Sequence, residues 1–224
     1  MKVSIIIPIY NEVELLPTVL EHVRAIPLDK ELVLVDDRST DGTVEILRAE
    51  ALKPDTRVLY HDHNQGKGAA IRTGLTHATG EIVIVQDADM EYTPSDIVSV
   101  VQPIIEGRTR VAYGSRFRGT IVGMRLPNRV ANHVLAWMVT ILYGRRITDE
   151  ATAYKAFRRE VIRNVHLTCK RFEFCPEVTA KVLRAGEKII EVPVSYHARD
   201  FEAGKKIGWR DFLVAVWTLL KNRF

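Results

Sequence analysis

The sequence predicts an α/β fold in which a mostly parallel β-sheet carries helices on both faces. Short apolar runs rich in β-branched residues alternate along the first half of the chain with segments whose apolar residues recur every three or four positions. Clusters of polar residues follow directly after three of those runs. Because ligands bind beyond the carboxyl ends of the strands in an open parallel sheet, the pattern places the functional site at that edge.

The elements follow one another as strand, crossover helix and strand. We predict strands at residues 3–7, 31–35, 57–60 and 81–85, separated by helices at residues 12–26, 42–51 and 66–78. Beyond Gly114 the alternation loosens. There the pattern predicts a long amphipathic helix over residues 126–143, a helix near 176–185, a strand at 188–194 and an amphipathic C-terminal helix within 208–224.

Composition indicates one compact domain. The chain has 224 residues, 46% of them hydrophobic and 27% charged, and a net charge of +4. This mild positive charge fits an enzyme that handles phosphates or a protein that rests on an anionic membrane, and we predict no nucleic-acid partner. Cys169 and Cys175 lack zinc-site spacing, which favours a reducing compartment. No apolar stretch reaches the roughly 20 residues needed to span a bilayer or forms an export signal, so we expect a cytoplasmic, peripheral protein.

The most specific motif is Asp87-Ala88-Asp89, two carboxylates separated by one small residue just after a predicted buried strand. Carboxylate oxygens are the ligands that Mg²⁺ and Mn²⁺ prefer, and a cation that bridges a diphosphate needs such ligands beside open positions. An isolated pair of this kind is often only two solvated turn residues. Its place after a strand favours a metal site at a donor diphosphate.

Two further clusters follow the neighbouring strands. Asp36-Asp37 opens a turn that leads into a helix, where we predict that Asp37 binds a base or ribose and that Asp41 is a helix N-cap. Pro8, Tyr10 and Glu12 form a matching loop that could stack against a base. Gly66-Lys67-Gly68 brings backbone N–H groups and a cation to a helix start, although the spacing of a P-loop is absent.

Together these motifs resemble the family-two glycosyltransferases of the GT-A fold. The later segments Tyr113-Gly114-Ser115-Arg116 and Glu191-Val192-Pro193-Val194, with Arg199 and Lys205, are similar to the branch that makes dolichyl- or polyprenyl-phosphate mannose and glucose. The resemblance therefore covers nearly the whole chain. It implies a single GT-A catalytic domain with a nucleotide-sugar half at residues 1–115, an acceptor half at 116–207 and a C-terminal amphipathic helix at 208–224.

The resemblance also implies roles for individual residues. A nucleotide sugar, with GDP or UDP, would be held by Pro8, Tyr10, Glu12, Val35, Asp37, Lys67, Asp87, Ala88, Asp89, Glu91 and Arg116. Asp87 and Asp89 would hold Mg²⁺ or Mn²⁺. Asp89, Arg116 and Asp149 would be catalytic, and Arg129, Arg199 and Lys205 would meet the phosphate of a polyprenyl acceptor. Arginine suits these roles because its guanidinium group binds phosphate in a bidentate manner.

The sequence departs from the family pattern at three places, and each departure bears on the predicted turn, enzyme class or active-site acid. Arg38 stands where many members have glycine, so its turn requires a conformation that glycine adopts more easily. A Q-x-x-R-W signature is absent, which argues against a processive polysaccharide synthase. Asp149 keeps the expected acid, but its neighbours differ from the Asp-x-x-Ser-Gly pattern.

The predicted reaction is transfer of a hexose, mannose or glucose, to a polyprenyl phosphate with inversion at the anomeric carbon. An anionic phosphate acceptor needs no strong base, whereas a hydroxyl acceptor would need a carboxylate such as Asp149 or Glu150. The basic and aromatic segments 125–146 and 208–224 could rest in a membrane surface, or could be core or dimer helices. A same-fold enzyme acting on a glycan or small-molecule hydroxyl is the first alternative, and a non-catalytic nucleotide-binding module is the second.

Overall fold

The structure, a computed structural model, describes residues 1–198 and 208–224 and confirms the predicted α/β architecture. Its strands are β1 (Val3–Ile9), β2 (Lys30–Asp36), β3 (Thr56–Tyr60), β4 (Ile82–Val85), β5 (Val111–Val122), β6 (Lys155–Arg158) and β7 (Ile189–His197). Its helices are α1 (Leu16–Ala25), α2 (Thr43–Glu50), α3 (Lys67–His77), α4 (Asp96–Ile105), α5 (Leu126–Tyr143), α6 (Arg159–Arg163), α7 (Phe174–Arg184) and α8 (Trp209–Lys221).

The strands form one seven-stranded sheet in the order β3-β2-β1-β4-β6-β5-β7. Strand β6 runs antiparallel to both of its neighbours, and the other paired strands run parallel to each other. The strand order reverses at β1, which lies between β2 and β4. Such a reversal leaves a crevice at the carboxyl ends of the strands, and it lies where the polar motifs predicted a site.

Both faces of the sheet are covered by helices, because the buried strands carry apolar residues on both sides. In β1, Ile5 and Ile7 pack with α1 and α4 on one face, while Ile6 packs with α3 and α7 on the other. A smaller cluster joins α5, α7 and α8 through Leu135, Val139, Ala180, Ala215 and Leu219. This third cluster attaches the two amphipathic helices to the sheet beside the crevice.

Most differences from the sequence prediction concern the second half of the sheet. The prediction missed α4, β5, β6 and α6, and it began α1 too early, since residues 12–15 are a turn that lies before the helix. The N-cap of α2 is Gly42 and not Asp41. Asp41 still stabilises this helix start, because its Oδ1 accepts hydrogen bonds from the N–H and hydroxyl of Thr43. No helix in the described ranges is both long and apolar enough to cross a membrane.

Gly74 gives a direct test of the packing between α3 and β1. A Cβ at this position would lie 2.5 Å from Cγ2 of Ile6. In an exposed helix Gly→Ala stabilises by about 1 kcal/mol, but overpacking costs about 1–3 kcal/mol, so we expect Gly74→Ala to lower the free energy of unfolding. Urea unfolding measures it, with Thr76→Ala on the exposed side of the same helix as the control. An increase in stability for Gly74→Ala would contradict the close approach.

Candidate active site

A cleft of about 590 Å³ opens at the carboxyl ends of β1, β2 and β4. One part of its wall consists of the residues that the sequence singled out: Pro8, Tyr10, Glu12, Asp37, Lys67, Asp87, Ala88, Asp89, Glu91 and Arg116. The opposite part comes from α5 and α8 through Leu135, Trp209, Phe212 and Ala215. The cleft thus connects a charged sheet edge with the two amphipathic helices.

The acidic pair Asp87 and Asp89 lies at the centre of the charged edge. Oδ2 of Asp87 accepts a hydrogen bond of 2.8 Å from the ammonium of Lys67. Oδ1 lies 2.7 Å from the same nitrogen but outside hydrogen-bond geometry, and it has no hydrogen-bond donor among the described residues. Burial, together with repulsion from Asp87 and Glu91, raises the pKa of Asp89 to about 7. The carboxyl groups at this edge therefore repel one another.

These residues fit a divalent cation such as Mg²⁺ or Mn²⁺. The buried Oδ1 of Asp87 lacks a donor, and the crowding that raises the pKa of Asp89 would be relieved by a positive ion. The described residues contain no group of three or more His, Cys, Asp and Glu side chains arranged to hold a metal. Two carboxylates leave positions for water and substrate oxygens, as is usual when a cation is shared with a phosphate ligand.

Asp37 holds the loop that precedes α3. Its Oδ1 accepts hydrogen bonds from the Gln65 N–H at 2.8 Å and pairs with Nδ1 of His61 at 2.8 Å, while its Oδ2 accepts from the Gly66 N–H at 2.7 Å. A carboxylate has about four acceptor positions, so capacity for a ligand remains on Oδ2. No role for His61 was predicted from the sequence, because His61 follows a strand end without a recognisable motif. Asp37 therefore lines the cleft and also positions the start of α3.

Arg116 and Asp149 form a buried bidentate ion pair behind the cleft. Nε and Nη2 of Arg116 donate to Oδ2 and Oδ1 of Asp149, each at 2.7 Å, and the Arg116 N–H adds a third hydrogen bond at 2.9 Å. Burial opposes the positive charge, but Asp149 more than offsets it and raises the pKa of Arg116 well above its ordinary value. Arg116 reaches the cleft wall, whereas Asp149 is fully buried and is not part of that wall.

Glu191 of β7 fixes the segment that carries Asp149. Its carboxylate accepts hydrogen bonds from the N–H groups of Thr148 and Asp149 at 2.8 and 3.0 Å. Glu191 belongs to one of the motifs of the sequence, but its motif predicted no role for it. A chain of contacts therefore runs from β7 through Asp149 to Arg116 at the cleft.

Glu150, the alternative base considered from the sequence, is fully buried in the cleft wall. Thr179 is a hydrogen-bonding neighbour of its carboxyl group. Burial raises its pKa, although the charge of Lys155 acts in the opposite direction. The ammonium of Lys155 itself donates to the backbone carbonyl of Glu150 at 2.6 Å. Glu150 is thus a buried carboxyl group in the cleft wall whose neutral form is favoured by burial.

Some residues of the sequence prediction lie elsewhere. The side chain of Val35 is buried in the sheet core, and Arg129 is exposed on α5 outside the cleft wall. Arg199 and Lys205 lie outside the described residues. The structure therefore brings the predicted nucleotide and metal residues together at one edge, apart from Val35, and does not bring Arg129 to them.

Strained backbone marks the same edge. In the described ranges, the residues other than glycine with positive φ are Asn11, Arg38 and Met90, at +54°, +69° and +56°. They follow β1, β2 and β4 respectively, so each lies next to a polar motif of the cleft. Left-handed backbone in non-glycine residues is costly and clusters at functional sites. The expectation that Arg38 adopts a conformation better suited to glycine is confirmed.

The family to which the sequence can be matched agrees with the cleft described above. Residues 4–165 match the family model described as Glycosyl transferase family 2, which covers the segments that build the cleft from β1 to β6. The chain belongs to glycosyl transferase family 2. This confirms the family inferred from the motifs at the sheet edge.

The chain is similar to curated proteins whose names refer to undecaprenyl phosphate. The chain is 31% identical over 217 residues to the undecaprenyl-phosphate 4-deoxy-4-formamido-L-arabinose transferase of Photorhabdus laumondii, covering 91% of this chain and 62% of the relative. It is 30% identical over 217 residues to the protein of that description from Proteus mirabilis, with the same coverage. The chain therefore spans less than two thirds of the length of these relatives.

Solved structures support the fold. Glucosyl-3-phosphoglycerate synthase from Mycobacterium tuberculosis, in complex with Mn²⁺, UDP and phosphoglyceric acid, matches with a TM-score of 0.75 at 20% identity, over 99% of this chain and 78% of that one. S. aureus TarS in complex with UDP-GlcNAc matches with a TM-score of 0.70 at 20% identity, over 99% of this chain and 66% of that one. At this level of identity the likeness establishes the GT-A architecture.

Arg38 allows a test of the strain at the cleft edge. Its backbone is left-handed and its side chain is exposed, so glycine should remove the steric cost without removing packing. We expect Arg38→Gly to raise the free energy of unfolding by about 1 kcal/mol, measured by urea unfolding. Arg38→Ala removes the same side chain but keeps the Cβ, and we expect no increase for it. Equal effects of the two substitutions would show that the turn is not strained.

Proposed function

We propose that this protein is an inverting glycosyltransferase that moves a sugar from a nucleoside-diphosphate sugar to a polyprenyl phosphate at a membrane surface. The observation that carries the proposal is the course of the cleft. It begins at the acidic pair Asp87 and Asp89 and ends against α5 and α8, whose outer faces are apolar and exposed. A single site of this shape can hold a water-soluble donor at one end and a lipid-linked acceptor at the other.

The charged edge is the proposed donor site. Pro8, Tyr10 and Glu12 would hold the nucleoside beside Asp37, and Asp87 and Asp89 would hold Mg²⁺ or Mn²⁺ at the diphosphate. In this proposal residues 1–115 form the donor half, residues 116–207 the acceptor half, and residues 208–224 the helix that completes the cleft. Val35 would contribute through its backbone, because its side chain is in the core.

The acceptor is proposed to be a phosphate because the acids and cations of the cleft suit one. The carboxylate of Asp149 is engaged by Arg116, so it supplies no unpaired base beside the acceptor. A phosphate brings its own negative charge and needs no strong base. The names of the Photorhabdus and Proteus relatives refer to undecaprenyl phosphate, which agrees with this choice. Arg129, with Arg199 and Lys205, remains the proposed set of cations for that phosphate.

The reaction is proposed as a single displacement. An oxygen of the acceptor phosphate attacks the anomeric carbon, the bond from that carbon to the donor diphosphate breaks, and the configuration inverts. A divalent cation, when bound, would offset the charge that develops on the leaving nucleoside diphosphate. Lys67 and Arg116 face the same space and would stabilise that charge further. Catalysis then consists of positioning and charge neutralisation, with Asp149 keeping Arg116 in place.

Helices α5 and α8 are the proposed membrane contact, on the cytoplasmic face. Large apolar side chains are exposed at helical spacing on both: Leu126, Val130, Trp137 and Ile141 on α5, and Trp209, Leu213 and Trp217 on α8. Trp137 and Trp217 are each 64% exposed. Aromatic and basic amphipathic helices lie in the headgroup region of bilayers, which would bring the cleft to a lipid phosphate.

Glu150 favours one alternative. A buried carboxyl with a raised pKa in the cleft wall could accept the proton of a hydroxyl acceptor, as in a same-fold enzyme that acts on a glycan.

The identity of the transferred sugar also has alternatives. Mannose and glucose are the hexoses expected from the motifs, and the relatives' names indicate 4-deoxy-4-formamido-L-arabinose.

Transfer assays test the proposed function. The donors are GDP-mannose, UDP-glucose and UDP-4-deoxy-4-formamido-L-arabinose, and the acceptors are a short-chain polyprenyl phosphate and its dephosphorylated alcohol, with Mn²⁺ or EDTA. We expect lipid-linked product only with the phosphate and the metal. Asp89→Asn should lower the rate by roughly 10²–10³-fold, since it removes a metal ligand.

Asp62→Asn, which changes a fully exposed acid, is the matched control and should keep wild-type activity. Asp89→Asn should not lower the melting temperature, because it removes a charge from a crowded acidic site. Transfer to the alcohol would contradict the proposal in favour of the hydroxyl-acceptor alternative. Transfer to the phosphate in EDTA would contradict the proposed metal site.

Membrane contact is tested by sedimentation with vesicles that contain anionic lipids. We expect the double variant Trp137→Gln and Trp217→Gln to bind at least about tenfold more weakly, because both indoles would leave the headgroup region. Leu52→Gln is the control, since Leu52 is 87% exposed and lies at the end of α2, away from α5 and α8. Unchanged vesicle binding of the double variant would show that these helices serve another partner.

A further inference from the structure

The ammonium of Lys67 lies against the carboxylate of Asp87, where the metal of the proposed function would be expected. We propose that Lys67 is an internal counter-ion that holds the metal position closed until a nucleoside diphosphate draws its side chain away. Divalent metal and nucleotide then bind to this protein together rather than independently. The inference rests on the metal site of the proposed function and adds a positioning residue to it.

The geometry shows a contact that satisfies Asp87 only in part. Lys67 Nζ lies 2.8 Å from Oδ2 as a hydrogen-bond donor and 2.7 Å from Oδ1 without hydrogen-bond geometry. Oδ1 is buried and has no hydrogen-bond donor in the described part of the chain. A monovalent ammonium therefore occupies the space in front of both oxygens while leaving one of them poorly satisfied. A divalent ion is a stronger partner for that oxygen, but it has to displace the ammonium first.

The backbone at Lys67 is held by hydrogen bonds and close packing, so the proposed exchange is assigned to its side chain. Lys67 is the first residue of α3, and the Gln65 and Gly66 N–H groups before it are held by Asp37. A Cβ on Gly68 would lie 2.7 Å from the carbonyl oxygen of Arg171, and one on Gly66 would clash with the carbonyl oxygen of Lys170. Glycine at both positions lets the helix start pack directly on the 170–171 backbone.

The Lys67 ammonium also has an aromatic ring nearby, in addition to the carboxylate of Asp87. Lys67 Nζ lies 5.9 Å from the ring centroid of Phe172, within range of a cation–π contact. The four-carbon stem of lysine lets its ammonium move while its backbone stays in place. Phosphate oxygens of a bound nucleotide would be a charge-assisted partner for this ammonium and would compensate for the loss of Asp87.

Coupled binding follows from this exchange. Without nucleotide, a metal must break the contact between Lys67 and Asp87 and leave the ammonium without an equivalent partner. With nucleotide, the diphosphate receives the ammonium, and Asp87 becomes available. Thermodynamic linkage requires that the metal strengthens nucleotide binding by the same factor as the nucleotide strengthens metal binding.

Mn²⁺ titration followed by electron paramagnetic resonance tests the inference without any sugar transfer. For the wild-type chain, we expect UDP or GDP to tighten Mn²⁺ binding by about tenfold or more. For Lys67→Met, we expect nucleotide-free Mn²⁺ binding to tighten by roughly fivefold and the effect of the nucleotide to shrink accordingly. Lys67→Arg keeps the positive charge, so its nucleotide-free Mn²⁺ binding should stay weak even if Lys67→Met proves too unstable to measure.

Lys170→Met is the matched control, because it removes the same charge from an exposed side chain next to the loop and should leave the nucleotide-free Mn²⁺ affinity unchanged. The inference is overturned if Lys67→Met binds nucleotide-free Mn²⁺ no more tightly than wild type, or if Lys170→Met has an equal effect. Absence of Mn²⁺ binding with and without nucleotide would overturn both the inference and the metal site. Coupled binding without any transfer to polyprenyl phosphate would support the inference while contradicting the proposed function.

Discussion

Buried negative charge at the carboxyl edge of the sheet is the constraint on which the rest of the site depends. Parallel strands β1, β2 and β4 end side by side, and the acids Asp36, Asp37 and Asp87 that follow β2 and β4 are buried. A buried carboxylate requires a donor or a cation. Asp37 receives N–H groups and His61, Asp87 receives Lys67, and Asp149 receives Arg116. Each of these partners comes from a different segment, so satisfying the acids also fixes the loops around the cleft.

Asp89 is the acid of this edge whose pKa is raised. Burial of its own carboxyl group is the largest cause, and repulsion from Asp87 and Glu91 acts in the same direction. In a purely structural edge this repulsion would only cost stability. The position of Asp89 beside Met90, whose backbone is left-handed, and in the cleft wall fits a site where a bound cation offsets this repulsion.

The first half of the fold was predictable because local pattern and topology agree there. Strands with apolar residues on both sides, such as β1, and helices with a single apolar face leave one arrangement, and the motifs after Ile9, Asp36 and Val85 had to meet at one edge. The second half was less predictable. Strand β6 is four residues long and runs against its neighbours, and its position is determined by pairing with β4 and β5 rather than by its own pattern.

In the site, too, the features set by local sequence were predictable and those set by distant contacts were not. The motifs identified Asp87 and Asp89 as neighbours, since their spacing is local. No local signal could show that Arg116 and Asp149 pair, because this contact joins segments 33 residues apart. The roles of His61 and Glu191 likewise depend on contacts made only in the folded chain. The positions of α5 and α8, which bring Leu135 and Trp209 to the cleft wall and leave Trp137 and Trp217 exposed, also required the structure.

The central claim is that the acidic edge of the cleft is a binding site for a divalent cation and a nucleoside diphosphate. The most direct measurement is a crystal structure of the chain with Mn²⁺ and UDP or GDP, in which anomalous scattering locates the manganese. Our account predicts a manganese peak in contact with Asp87 and Asp89, with the Lys67 ammonium moved from Asp87 to the diphosphate. A nucleotide bound in the cleft with manganese elsewhere, or with Lys67 still on Asp87, would contradict it.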